Sequence, residues 1–570
     1  MSSSGGYEFS ELFHSSILSF SPGTTFLATA HFNRIIIRST STLQIVRTWI
    51  CIKDTPSPAP TPSLFASTSR RAPLESSTSA SSTSGAGDEF SIDQLSWSGD
   101  SMYLLAYSAQ AKTCWVFGLA EEGSGECGEI ARVGGEGVEG LVRVDWGNGG
   151  REVLAWSDHA LKLSIYDLST GQIKVIQHPK SHQSCHTYSP DARYLAVAER
   201  HLGKDYVGVY DVLDGHRLVR HFALHTSDVQ GLLWSPCGKY LAAWDSPLSY
   251  SLHVYSPIGP HLTRFTSSSP TFSPTSTAED PGLGIRTVTW APGGRWIALG
   301  GWDGKVRIIE SEGWRCVAVL RWGARTAEKD VTVWREPSEW LQDTRGRGIV
   351  QFDRVSLPAG IPTSRPDLSK PNPRMGVSQL SFDSDATLLL ARIDTQPNTI
   401  HIHTFLPTAV AEVPSITHLA TLVFTSPVRS AKWCTANGEG RGRKLAVSTK
   451  AGAVYFWDGE GGWVEEGEEE FGRGGTMEGV GIPARTDFSA VDITWSPDGT
   501  SLAIQDRKQF CLLYDGDADQ AEEGESTRRR ASAGLDEGLT HVSEEGEEYD
   551  EGWSGSGFGL RQGILGSVGA

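Results

Sequence analysis

The sequence is poor in the features that mark covalent cross-linking, membrane insertion or catalysis. Its eight cysteines stand far apart, at positions 51, 114, 127, 185, 237, 316, 434 and 511, and form no C-x-x-C pair. That spacing suits neither a disulfide framework nor a zinc ribbon, and implies a reducing compartment. No run of about 18 apolar residues occurs, the length a membrane helix needs. Met1-Ser2-Ser3-Ser4-Gly5-Gly6 has neither the basic flank nor the apolar stretch of a secretion signal. The expectation is a chain neither secreted nor inserted in a membrane.

Catalytic signatures are missing as well. There is no G-x-S-x-G elbow, and Gly304-Lys305 runs into Val306 where a Walker A loop needs Ser or Thr. Gly135-Glu136-Gly137-Val138-Glu139-Gly140 matches G-x-G-x-x-G in form, but its two carboxylates would repel a phosphate and no strand-helix-strand unit surrounds it. No enzyme and no cofactor are expected. Positive charge is also scarce: the net charge is −18, of which residues 516–551 carry −10 and residues 460–470 carry −6, leaving −2 for the rest. A nearly neutral body gives no general attraction for phosphate backbones, so no nucleic-acid role is expected.

What is present is a repeat. Nine times an alternating apolar stretch ends in an aromatic residue, passes through a Ser-Pro-Asp-Gly-like turn and enters a Leu-Ala run. The aromatics are Phe20, Trp97, Trp146, Tyr188, Trp234, Trp290, Phe382, Trp433 and Trp495. Ile493-Thr494-Trp495-Ser496-Pro497-Asp498-Gly499 is among the best preserved copies, and the sixth continues through Trp302-Asp303-Gly304-Lys305 into a third strand. His225 stands nine residues before Trp234, the His-to-aromatic spacing of WD repeats. Alternation gives each strand one buried face, the aromatic fills the space between radial sheets, and Pro with Asp-Gly reverses the chain. A spacing of about 42–46 residues corresponds to one four-stranded blade.

The fold expected is therefore all-β: a WD-repeat β-propeller of about nine blade-like units over residues 7–514. A single nine-bladed ring, a seven-bladed ring with extra blades and two smaller rings all fit, because residues 330–352 have strand character of their own. Insertions are read at 52–90, 266–283, 311–376 and 459–487. Residues 515–570 are read as an acidic, Gly-rich tail without enough apolar surface to offset ordering entropy.

Histidines and hydroxyls supply the remaining candidates. His401 and His403 share a strand face as half a metal site, but no third ligand is near in sequence, and no metal is expected. His178, His182 and His186 lie in a connector and do not share a face. Thr55, Ser57 and Thr61 precede prolines in an insertion, as do Ser269 and Ser273, and Ser532 follows Arg528-Arg529-Arg530-Ala531; these are candidate phosphorylation sites. Ser-Pro pairs within the repeats, such as Ser496-Pro497, read as structural turns.

Several stretches lie partly outside the generic repeat: Phe9-Ser10-Glu11-Leu12-Phe13, Leu195-Ala196-Val197-Ala198-Glu199-Arg200 with Lys204-Asp205-Tyr206-Val207, Leu241-Ala242-Ala243-Trp244-Asp245, Leu283-Gly284-Ile285 and Asn372-Pro373-Arg374-Met375-Gly376. In order and spacing they resemble the WD-repeat-containing protein eight family of centrosomes and spindle pole bodies. The resemblance implies a non-enzymatic adaptor at the microtubule-organising centre. It would join a coiled-coil microtubule-anchoring protein and, in fungi, a minus-end-directed kinesin to hold spindle microtubule minus ends. Glu199, Arg200, Lys204, Asp205, Trp244 and Asp245 are the candidate partner-binding residues; a solvated turn accounts equally for the charges at 199–205. The insertions at 52–90 and 459–487 and the acidic tail depart from the family pattern. A ribosome-binding translation-initiation propeller would need a basic face, and a cullin substrate receptor would carry Trp-Asp-x-Arg where this chain has Trp302-Asp303-Gly304-Lys305 and Trp457-Asp458-Gly459-Glu460. An enzyme with an unrecognised site is the alternative of a different class.

Overall fold

Six of the nine blades start from the same local chemistry. At the turn after the first strand the Ser hydroxyl is buried and accepts the backbone N–H five residues on, where the second strand begins: Ser21 from Phe26 at 3.0 Å, Ser98 from Tyr103 at 2.9 Å, Ser189 from Tyr194 at 2.9 Å, Ser235 from Tyr240 at 3.0 Å and Ser496 from Ser501 at 3.0 Å. In the seventh blade Asp383 takes the same place, accepting from Leu388 at 2.9 Å. The side chain thus does a main-chain acceptor's work and fixes where pairing restarts.

The computed structural model describes residues 6–515 apart from 16, 54–89, 121–126, 135–139, 181, 274–280, 328–329, 345, 371–372, 407–413, 436–442, 460–473 and 484–487. Its strands form nine antiparallel blades. First and last strands are Ile17–Phe20 and Ile45–Ile50 in blade one, Gln94–Trp97 and Cys127–Gly134 in two, Leu141–Trp146 and Ile173–Gln177 in three, His186–Tyr188 and Arg217–Ala223 in four, and Gly231–Trp234 and His261–Thr266 in five. They are Ile285–Trp290 and Cys316–Leu320 in blade six, Val377–Phe382 and Ser415–Val423 in seven, and Ser430–Trp433 and Thr476–Gly481 in eight. Blade nine, Asp492–Trp495 through Gln509–Asp515, takes its fourth strand from the other end of the chain: Tyr7–Phe9 pairs antiparallel with Gln509–Asp515, Phe9 opposite Leu513.

The ring is single and closed. Nine apolar clusters fill nine seams between successive blades, and the last sets Phe20 and Leu27 of blade one against Ala503, Phe510 and Leu512 of blade nine. The repeat aromatics lie in these seams, and four of them do more than fill space. The indole N–H of Trp97 donates to the Ser19 carbonyl at 3.0 Å, that of Trp146 to Ser96 at 2.8 Å, Trp433 to Ser381 at 3.4 Å and Trp495 to Lys432 at 3.0 Å. In every case the acceptor is the residue just before the preceding blade's own aromatic. Trp234 instead donates to Gly238 of its own turn, at 3.1 Å.

Two boundaries read from the sequence move. Cys316–Leu320 and Thr476–Gly481, inside the stretches taken as insertions, are the fourth strands of blades six and eight. Fourth strands carry a faint alternation: Arg217–Ala223 buries no residue, and Thr476–Gly481, though mostly buried, has only Met477 and Val480 as apolar side chains beside two glycines. The strand character of 330–352 is real but builds no second ring: Thr332–Arg335 pairs parallel with Ser415–Val423 of blade seven, and Ile349–Gln351 pairs with Thr476–Gly481 of blade eight. A buried carboxylate, Glu336, pins this excursion. Its oxygens accept the Trp340 indole at 2.8 Å, the Tyr455 hydroxyl at 2.6 Å and the Thr425 N–H at 2.7 Å.

The wedge and the hydrogen bond are separable. Trp495→Ala is expected to cost roughly 3–5 kcal/mol, whereas Trp495→Phe keeps most of the volume and should cost about 1 kcal/mol for the lost hydrogen bond to the Lys432 carbonyl. Urea unfolding of both variants checks this; equal losses would show that the indole N–H contributes nothing of its own.

Candidate functional site

The residues singled out by sequence converge on the joint between blades four and five. The hairpin of Tyr194–His201 and Lys204–Asp211 sets Arg200 opposite Asp205 and closes through Leu202-Gly203. Asp205 is 1% exposed, and one oxygen accepts the Val229 N–H at 2.7 Å and the Thr226 hydroxyl at 3.1 Å. The other faces Arg200 at 3.5 Å and Lys180 at 3.7 Å. Asp245, also buried, accepts N–H groups of Ser227 at 3.0 Å, Asp228 at 2.9 Å and Ser246 at 2.8 Å. Burial opposes ionisation of Asp245, yet these donors hold its carboxyl below the usual range. Two aspartates therefore grip the segment linking the blades, as main-chain caps.

Trp244 is buried too, at the wall of the central opening, where a cavity of about 420 Å³ lies against the inner strands of blades four to seven. It fits because residue 231 is glycine: a Cβ there would lie 2.1 Å from the indole ring. Glu199 lies inside the outer half of blade four, its carboxylate accepting the Tyr210 hydroxyl at 2.6 Å. Of the six candidates only Arg200 and Lys204 present charge to solvent, and Arg200 is engaged with Asp228 at 2.6 Å. Of the charges at 199–205, Arg200 and Asp205 tie blade four to the segment leading into blade five, Glu199 is held within blade four, and Lys204 is exposed.

A second site escapes sequence reading because three blades assemble it. A cavity of about 660 Å³ is lined by Arg365, Lys370, Arg374, Arg392 and Arg429, with Asp367 and Asp394 as its acids. Arg286 of blade six anchors the wall, donating to the Met375 carbonyl at 2.5 Å and to Asp394 at 2.6 Å while its guanidinium covers Trp302 at 4.7 Å. Arg374 and Met375 belong to the stretch that carries the family resemblance, which was the one available signal. An excess of guanidinium groups around a cleft of this size suits an acidic peptide segment.

The phosphorylation candidates Thr55, Ser57, Thr61 and Ser532 lie outside the described residues, as does most of the Gly135–Gly140 loop. Ser269 is held in a turn, its hydroxyl oxygen accepting the Thr266 N–H at 3.0 Å, and Ser496 is buried. His401 and His403 gain the neighbour the sequence could not show: His418, on the adjoining strand, stacks on His403 at 4.5 Å. Burial pushes His186, His253 and His418 down to about 4, and His401 and His403 well below their ordinary value. Among the described residues no helix is long and apolar enough to cross a membrane.

A closed ring of radial four-stranded blades defines a β-propeller, and comparison with known proteins narrows the class. The family described as WD domain, G-beta repeat matches residues 272–310, which include most of blade six. The chain is 28% identical over 523 residues to WD repeat-containing protein WRAP73 of Mus musculus, covering 89% of this chain and 95% of that protein. It is 23% identical over 201 residues to an uncharacterized WD repeat-containing protein of Schizosaccharomyces pombe, covering 34% of this chain and 39% of the other. Among solved structures, the C-terminal WD40 domain of Sif2 aligns at 10% identity over 89% of this chain and 98% of that one, with a TM-score of 0.41. The chain is thus a β-propeller similar to WD-repeat proteins, whose propellers generally bind proteins.

The buried histidines give stability a defined pH dependence. Each has a folded value below the roughly 6.5 of an unfolded histidine, so the unfolded chain takes up protons that the fold refuses. Stability is complete above pH 6.5 and falls as pH drops from there toward 4. Urea midpoints at pH 7.5, 6.0 and 5.0 should decline in that order, and His418→Gln should flatten the decline; an unchanged midpoint down to pH 5 would refute it.

Proposed function

We propose that this chain is a non-enzymatic adaptor at the microtubule-organising centre, the spindle pole body or centrosome. There it would tether spindle microtubule minus ends by joining a coiled-coil anchoring protein to a minus-end-directed kinesin. The observation that carries this reading is co-linear likeness along the whole ring, 95% of the mouse relative's length included. With it goes the resemblance of stretches outside the repeat to the WD-repeat-containing protein eight family. The fold supplies what an adaptor needs. A closed ring holds its loops rigidly, so two partners can be recognised at separate places without one site deforming the other. The basic cavity is the surface best suited to an acidic segment of one partner.

Imaging of the tagged protein through mitosis, with affinity purification in parallel, tests the assignment. Pole localisation with recovery of a coiled-coil protein is the expected result. Absence from the poles together with recovery of ribosomal subunits would overturn it in favour of the translation-initiation reading. The double variant Arg374→Glu, Arg429→Glu should lose one partner at least tenfold, about 1.4 kcal/mol, while keeping the wild-type melting curve.

A further inference from the structure

On blade four, three side chains distant in sequence come together around one oxygen. Glu199 and His201 follow each other on one face of Tyr194–His201, and His221 comes from the outer strand Arg217–Ala223, opposite Gly208. His201 Nε2 is 3.0 Å from Glu199 Oε2, and His221 Nε2 is 3.2 Å from the same atom. All three donor atoms lie within 4.8 Å of one another. Four ligands at about 2.0–2.2 Å from a tetrahedral zinc ion stand about 3.3 Å apart, so the two separations from Glu199 are close to those of a coordination sphere.

The surroundings are built to hold the donors. Residue 208, between the strands, is glycine, and a Cβ there would lie 2.4 Å from the Glu199 carboxylate. The second carboxylate oxygen accepts the Tyr210 hydroxyl at 2.6 Å, the outer hydrogen bond that fixes a ligating carboxylate. The His221 ring stacks on Tyr206 at 5.0 Å with planes 8° apart, and His201 meets His178 edge-on at 5.5 Å. The carboxylate is buried while both imidazoles are about a third exposed, 34% each, which leaves the fourth position open to water.

We propose that Glu199, His201 and His221 bind a divalent transition-metal ion, with zinc as the best match to two imidazoles and a carboxylate in tetrahedral spacing. Bound there, the ion links the second and outer strands of blade four across the third. Through His201 it also stiffens the connector from blade three that carries His178.

The test uses the untagged full chain, stripped with a chelator and then titrated with Zn²⁺ and with Co²⁺. Wild type should retain one more equivalent of zinc after dialysis than His221→Gln or Glu199→Gln, and bound Co²⁺ should show the visible absorption of a tetrahedral site that both variants lack. Tyr210→Phe should keep the site but weaken it by about tenfold. Equal stoichiometry in wild type and variants would overturn the proposal, even if the chain binds zinc at other histidines. Should a variant fail to match the wild-type melting curve without metal, X-ray absorption of the zinc-loaded wild type decides. Two imidazoles with oxygen donors at about 2.0–2.1 Å support the site, and sulfur ligands or an all-oxygen shell overturn it.

Discussion

The fold depends on how one blade meets the next. A radial sheet buries both faces, so each blade can be stable only between two others, and the seam must fill a wedge that widens outward. A bulky aromatic at the end of each first strand meets the volume requirement, and the indole N–H adds direction. Trp97, Trp146, Trp433 and Trp495 each reach back to the carbonyl preceding the previous blade's aromatic. Each such bond is directional and contributes about 1 kcal/mol, so the pairing specifies blade rotation as well as adhesion. With Phe20 and Phe382 the wedge persists without the latch, which shows that apolar filling is the primary term.

Where the standard seam is modified, buried carboxylates take over. Asp205 and Asp245 hold the link from blade four to blade five by accepting its main-chain N–H groups, and Glu336 fastens the strands inserted between blades six and seven. A buried carboxylate is stabilising only when several donors replace its hydration, and each of these three has at least two. The two solutions are complementary. Indoles secure repeating joints, and carboxylates secure joints where an irregular segment must be captured.

The repeat and its aromatics were legible because period-two alternation and turn chemistry are local. Fourth strands were less so: Thr476–Gly481 is mostly buried, but Met477 and Val480 are its only apolar side chains beside two glycines, after a Gly/Glu-rich stretch. Ring closure had to come from structure as well, since nothing local says that Tyr7–Phe9 pairs with Gln509–Asp515. The charged hairpin at 199–205 illustrates the limit at the candidate site. Its composition marked the residues as unusual, but their use as internal ties depends on Lys180 and Asp228, which approach only after two blades have packed. The same holds for the basic cavity, whose cations come from a Pro-rich excursion and two separate blades.

Charge placement then decides what such a ring can recognise. The chain carries −18 overall, yet the cleft at Arg365, Lys370, Arg374 and Arg429 is locally cationic. Charges farther away than a Debye length, about 8 Å in physiological salt, are largely screened, so what an incoming segment meets is set by the groups that line the cleft. Within that distance the guanidinium groups are screened least. An acidic segment is therefore favoured only if its shape lets it enter, and selectivity comes from the rigidity of the ring that the seams supply.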